Sequence, residues 1–333
     1  MLCLSLVLVL SLITAGVASG SNPLDRWNEC AKILDDSDRL KCFDELSGRE
    51  PEGSFEVPEG EEKEREETEA PSYLSQLWEL DEESRQRKFA ITPYGSNYLL
   101  PVTYNKTPNP GPIEEADPGT EVKNYEVEYQ ISFKVKLWQD VLGKEIDLWV
   151  GYTQRSFWQL YNFADSSPFR ETDFEPELLL NFRTDYHLLG LRGRYINVGL
   201  NHQSNGRSEP LSRSWNRLVA NFGFERDSLV FLLNVWYRIP EDEADDDNPN
   251  IEDYLGYGQL NVFYLWQGHR FGLLFRNNMQ FDDNRSGLQL SWSFPLLKRV
   301  SGYAQYFHGY GENLLDYNAS SNRIGIGFIL KEW

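Results

Sequence analysis

The chain has 333 residues and a formal net charge of −20, enough length for one large domain plus an appendage. So acidic a balance excludes a nucleic-acid partner, whose phosphates call for a basic surface. Aromatic residues make up 14% of the chain, yet no uncharged apolar run past the N-terminus is as long as a spanning helix, so any membrane crossing falls to strands.

Residues 1–20 read as a secretory signal peptide. Leu2 to Ile13 is an apolar core, and the small residues from Ala15 to Gly20 offer a cleavage site. An exported chain meets oxidising conditions, so Cys30 and Cys42 are expected to form a disulfide stapling a helical hairpin over residues 21–48. A metal role for this pair would need two further ligands, and no His lies near. Residues 49–87 read as an acidic linker. Between Glu50 and Glu69, ten Glu stand against Lys63 and Arg65, with too few apolar groups to fold. Within it, Tyr73 to Leu80 is a short amphipathic stretch with helical character.

A β domain is expected over residues 88–333. It opens on a Pro/Gly/Asn-rich loop from Thr92 to Gly119 with an extended piece around Asn97 to Leu100. From Glu126 to Leu137 the alternation is perfect. Val127, Tyr129, Ile131, Phe133, Val135 and Leu137 share one face, and polar residues fill the other. Ten more segments of this kind follow, ending with Arg323 to Leu330. Closed single-chain barrels have even strand counts, so a twelfth strand is expected near Leu188 to Arg194 or from a split of a longer run. Glu126, Glu128, Lys134 and Lys136 suit an enclosed polar lumen, and Trp138, Trp149, Trp158, Trp266 and Trp292 suit interfacial girdles. The fold class is all-β: a twelve-stranded antiparallel transmembrane β-barrel with a small N-terminal periplasmic helical segment.

The stretch from Asn201 to Arg217 carries the chemistry. Side chains on a strand repeat every two residues, so His202 and Ser204 point the same way as Ile196, Val198 and Leu200. Asn216 likewise shares a face with Leu218, Ala220 and Phe222. A hydroxyl, an imidazole and an amide thus lie on the apolar side of a sheet, where Ser204 can be the nucleophile, His202 its base and Asn216 the group that orients the base. The loop from Asn205 to Ser214 offers backbone N–H groups at Gly206, hydroxyls at Ser208 and Ser212, and carbonyl oxygens. Such hard donors suit Ca²⁺. The acidic run Asp245 to Asp247 is a weaker metal candidate, since acidic loops are usually just solvated. His187, His269 and His308 lack comparable company and read as structural.

From Phe89 onward the chain resembles the bacterial outer-membrane phospholipase A family. The likeness rests on Gly151-Tyr152-Thr153-Gln154, on Ser166 to Thr172, on the whole block from His202 to Arg217, on Asp246-Asp247-Asn248-Pro249, and on Gly309-Tyr310-Gly311-Glu312. The resemblance implies calcium-dependent hydrolysis of acyl esters of phospholipids and lysophospholipids in the outer membrane, switched on by formation of a homodimer. It implies that the Gly206 N–H faces the oxyanion. Ca²⁺ would be held by the Ser212 hydroxyl and the Arg207 carbonyl, completed by Ser166 from a second barrel. Gln154 matches a polar group of the dimer interface, and Asp247 a ligand of a weaker calcium site. Glu209 departs from the family's Asp. From the residues alone, a lipid A deacylase and a porin-like barrel without catalysis stay open as alternatives.

Overall fold

The structure is a computed structural model that describes residues 23–33, 35–47, 72–86 and 88–331. The expected signal peptide, and the acidic tract over 48–71, lie outside these residues. The described residues fall into two units, divided between Thr68 and Glu69. In the first, α1 (Pro23–Cys30) and α2 (Asp36–Ser47) form a hairpin. The Cys30–Cys42 disulfide joins them with Cα atoms 5.6 Å apart. The rings of Trp27 and Phe43 pack alongside at 5.2 Å.

The second unit begins with a short helix, α3 (Tyr73–Trp78), followed by strands that each pair antiparallel with their neighbours. Strands β1 (Ile91–Pro93) and β2 (Tyr98–Asn105) lie end to end along one edge of β3 (Tyr125–Trp138). The meander continues through β4 (Ile146–Trp158), β5 (Phe169–Leu188), β6 (Leu191–Ser204), β7 (Ser214–Arg226) and β8 (Leu229–Ile239). It is completed by β9 (Gly258–Trp266), β10 (His269–Asn277), β11 (Ser286–Pro295), β12 (Val300–Gly309) and β13 (Ser321–Leu330). Because β13 returns to β2, with Ile324 opposite Tyr104, the sheet closes. Taking β1 and β2 as one broken stave, the barrel has twelve staves.

The twelfth strand is not where the pattern placed it. Leu189 and Gly190 are the two-residue turn between β5 and β6, both with positive φ (52° and 79°), as a tight hairpin requires. The missing strand is β2, which begins in the extended piece expected around Asn97 to Leu100 and runs on through residues expected to be loop. Pro101 cannot donate to a ladder, and the pairing of β2 with β3 slips between Leu100 and Thr103. That irregularity breaks the alternation a reader would look for.

The faces are as β3 implied. Glu126, Glu128, Lys134 and Lys136 are buried in the lumen, whereas Ile131, Val198, Leu200, Leu218 and Ile324 are exposed on an apolar outer wall. Trp138, Trp266 and Trp292 stand half-exposed on that wall. Trp149 does not belong with them. It points inward and is fully buried.

Its partner is α3. The hydroxyl of Ser72 caps this helix by accepting from the Ser75 N–H at 3.2 Å. Leu74 and Trp78 then bury against Trp149, Leu179, Tyr195 and Val219 inside the barrel. Trp78 meets Trp149 edge-on at 5.7 Å, and Lys134 Nζ lies 4.7 Å from its ring centroid. Lys136 is neutralised by Glu79 at 2.8 Å and Asp147 at 3.3 Å. The stretch from 72 onward, expected to be part of the linker with the barrel starting at 88, is therefore part of the barrel unit. Burying large side chains such as Leu74 and Trp78 stabilises it by about 1.5–3 kcal/mol each. Nearer the other end, Arg323 bridges Glu312 (2.8 Å) and Glu126 (2.6 Å), and Arg170 also reaches Glu126 and Asp316. A polar cavity of about 350 Å³ remains between these layers.

Candidate active site

The turns β5–β6, β7–β8 and β9–β10 are two-residue connections, while β6–β7 and β8–β9 are joined by longer loops at the opposite rim. In barrels of this type the long loops face outward from the cell. The candidate residues gather at that rim, around the top of β6 and β7.

Register decides the geometry. His202 pairs directly with Asn216, and Ser204 with Ser214, across β6 and β7. Both His202 and Ser204 keep step with exposed Val198 and Leu200, so they stand on the outer wall; Asn216 keeps step with exposed Leu218. The intervening residues face inward and form a stiff backing. Trp215 Nε1 donates to Gln203 Oε1 at 2.8 Å, and the Arg217 guanidinium lies 4.0 Å from the Trp215 ring centroid.

His202 Nδ1 and Asn216 Oδ1 are 2.8 Å apart. With Nδ1 engaged by an oxygen, it carries the proton, and Nε2 is left as the basic nitrogen. Among the described residues, no hydrogen bond joins the Ser204 hydroxyl to the imidazole, whose Nδ1 is engaged by Asn216. Such contacts often tighten only when substrate arrives. Phe174, opposite Ser204 on β5, adds apolar surface beside it.

One residue here was invisible in the sequence. The Asn216 Nδ2 donates to Glu241 Oε1 at 2.7 Å. Glu241 opens an acidic tract that reads as solvated loop, and only the pairing of Asn216 with Ile239 reveals that it hangs over β7.

The loop after Ser204 is held by Asn205. Its buried side chain donates to the Leu211 carbonyl at 2.8 Å and accepts from the Arg213 N–H at 3.0 Å. Gly206 adopts φ +63°, and a Cβ there would lie 3.3 Å from the Phe174 ring, so glycine suits the position on two counts. Arg207 reaches across to the carbonyls of Phe169 (2.8 Å) and Arg170 (2.7 Å), tying this loop to the start of β5. Ser212 Oγ donates to Asp247 Oδ2 at 2.6 Å. Glu209 faces the same Asp247 carboxylate, and the contact raises the Glu209 carboxyl above its ordinary range. Two crowded acids and a serine hydroxyl form a hard-oxygen group that a divalent cation would relieve.

Ser166 lies on the β4–β5 loop, exposed and in a left-handed conformation (φ 60°). Gln154 lies on the outer wall of β4 within a polar chain. It accepts from the Tyr152 hydroxyl at 3.1 Å and donates to Ser156 Oγ at 3.2 Å, to which Thr172 also donates.

Known proteins resemble this chain in sequence and in fold. A family model described as Phospholipase A1 matches residues 74–330. Phospholipase A1 of Klebsiella pneumoniae is 40% identical over 247 residues, spanning 73% of this chain and 83% of that protein. The Escherichia coli K12 protein of the same name is 39% identical over the same length, with 82% of it covered. Among solved structures, outer membrane phospholipase A from Escherichia coli superposes with a TM-score of 0.69 at 38% identity, covering 73% of this chain and 99% of that one. The Salmonella typhi outer membrane phospholipase, a dimer with bound calcium, gives 0.71 at 36% identity over 78% of this chain and 98% of the other.

Proposed function

Because the chain belongs to the phospholipase A1 family of outer-membrane β-barrels, and is an enzyme of the phospholipase A type, we propose that it cleaves phospholipid acyl esters with Ser204, His202 and Asn216. The observation that carries the reading is the 2.8 Å His202–Asn216 pair on the outer wall, with Ser204 two residues further along the same face. A substrate whose tails lie in the membrane meets these groups without entering the barrel.

In this scheme His202 Nε2 takes the Ser204 proton as Oγ attacks the ester carbonyl carbon. Asn216 holds the imidazole in the tautomer that leaves Nε2 basic. The Gly206 N–H points to where negative charge collects on the carbonyl oxygen. His202 then gives its proton to the departing lysophospholipid oxygen, and a water repeats the sequence on the acyl-serine. Both the sn-1 and sn-2 esters, and lysophospholipids, are accepted as substrates in this reading.

The oxygen donors around the loop fit Ca²⁺. Ser212, the Arg207 carbonyl and Ser166 of a second barrel would hold one ion, and Asp247 with Glu209 a weaker one. When bound, calcium supplies positive charge that steadies the oxyanion. Shared donors make the homodimer the active form, with Gln154 in its interface. Support for that part comes from the calcium-bound Salmonella dimer and from the polar chain around Gln154 on an otherwise apolar wall.

Hydrolysis of phosphatidylethanolamine in detergent, with calcium or with chelator, tests the scheme. Replacing Ser204 by Ala is expected to lower turnover on the order of 10³-fold or more. Turnover indifferent to chelator would remove the metal from the mechanism.

A further inference from the structure

The amide of Asn216 is occupied at both ends. Its Oδ1 meets His202 at 2.8 Å, and its Nδ2 donates to Glu241 Oε1 at 2.7 Å. We infer that Glu241 is a positioning residue that supplies, through the Asn216 amide, the negative charge an asparagine cannot offer the base. The inference rests on the assignment of Ser204, His202 and Asn216 proposed above.

The surroundings of Glu241 favour this role over that of an ordinary loop acid. Glu241 lies two residues beyond the end of β8, whose last residue, Ile239, pairs with Asn216. Backbone register therefore brings the carboxylate to the amide. Its second oxygen, Oε2, is buried and has no hydrogen-bond partner among the described residues. Nearby Asp246 is neutralised by Arg238 at 2.6 Å, and Asp247 accepts from Ser212. Among the described residues no cation pairs with Glu241, and the side chain that donates to it is Asn216. A half-desolvated carboxylate without a counter-ion is costly.

The physics of the bridge is simple. An amide that donates to a carboxylate becomes a stronger acceptor at its own oxygen, because hydrogen bonds in a chain polarise one another. Oδ1 then holds the imidazole N–H more firmly, most of all when the ring gains its second proton in the transition state. The gain is larger in the transition state than in the ground state, so it belongs in kcat rather than KM.

The test uses the full-length protein in detergent with calcium and phosphatidylethanolamine. Glu241→Gln keeps an oxygen that accepts from Asn216, so the loop stays pinned while the charge goes. We expect kcat to fall on the order of tenfold with KM within about twofold. Asn216→Asp sets two carboxyls against each other and lowers kcat as well. The double variant Asn216→Asp/Glu241→Gln turns that clash into an amide-to-carboxylate bond and should exceed Asn216→Asp about fivefold or more, a coupling that loop anchoring alone does not produce. Wild-type kcat in Glu241→Gln, or a double variant no better than Asn216→Asp, would overturn the inference. Ser204→Ala separates the two levels: if it stays active, the triad itself is wrong. If it is inactive while Glu241→Gln is normal, only the relay through Asn216 fails.

Discussion

Individual residues at the rim are chosen for backbone geometry as much as for chemistry. Gly206 sits at φ +63°, with the Phe174 ring 3.3 Å from where a Cβ would be. Gly206→Ala should push the loop off Phe174 and displace the proposed oxyanion N–H. Because sub-ångström placement governs such sites, turnover is expected to drop about tenfold or more, with the barrel still folded. Steady-state kinetics of that variant beside Ser204→Ala will show it; unchanged kcat would separate the Gly206 amide from the reaction. Ser212 donates to Asp247 at 2.6 Å, so Ser212→Ala should raise the calcium concentration needed for half-maximal activity. His202, Ser204 and Asn216 could be placed in advance because strand parity alone puts them on one face. Glu241 could not, since its acidic neighbours gave it no pattern and only three-dimensional register joins it to Asn216.

Among elements, α3 matters most after β6 and β7. It fills the lumen with Leu74 and Trp78 and answers the charges of β3, Lys136 meeting Glu79 at 2.8 Å. Trp78→Ala would empty a site shared with Trp149, Tyr94 and Tyr195, at a cost of about 3–5 kcal/mol. Urea unfolding of the detergent-solubilised protein should register that loss, and a variant as stable as the parent would show that α3 adds nothing. The helical character of Tyr73 to Leu80 is legible in its amphipathic pattern. Its destination is not, because a polar lumen and bulk water select the same exposed face. Trp149 misled for a related reason: position near a strand end suggests a girdle, but it shares parity with Asp147 and faces inward. Strand β3 was plain from alternation, whereas Pro101 and the slip after Leu100 hid how β2 runs on beyond its extended start.

For the whole molecule, the decisive property is which side of the wall carries which chemistry. Ion pairs such as Arg323 with Glu126 and Glu312 fill the inside, and the groups read as reactive stand outside among Val198, Leu200 and Leu218. The alternation of the strands foretold that inversion, and the closing of β13 on β2 realises it. A dimer that shares calcium would bring two such outer walls together, and Gln154→Leu is expected to lower the cross-linked dimer fraction at a fixed calcium level. The most direct measurement is sulfonylation of the purified protein in detergent with calcium, followed by peptide mapping and assay of phospholipid hydrolysis. The account predicts a single label on Ser204 and loss of turnover in step with labelling; label on another residue, or full turnover in labelled protein, would contradict it.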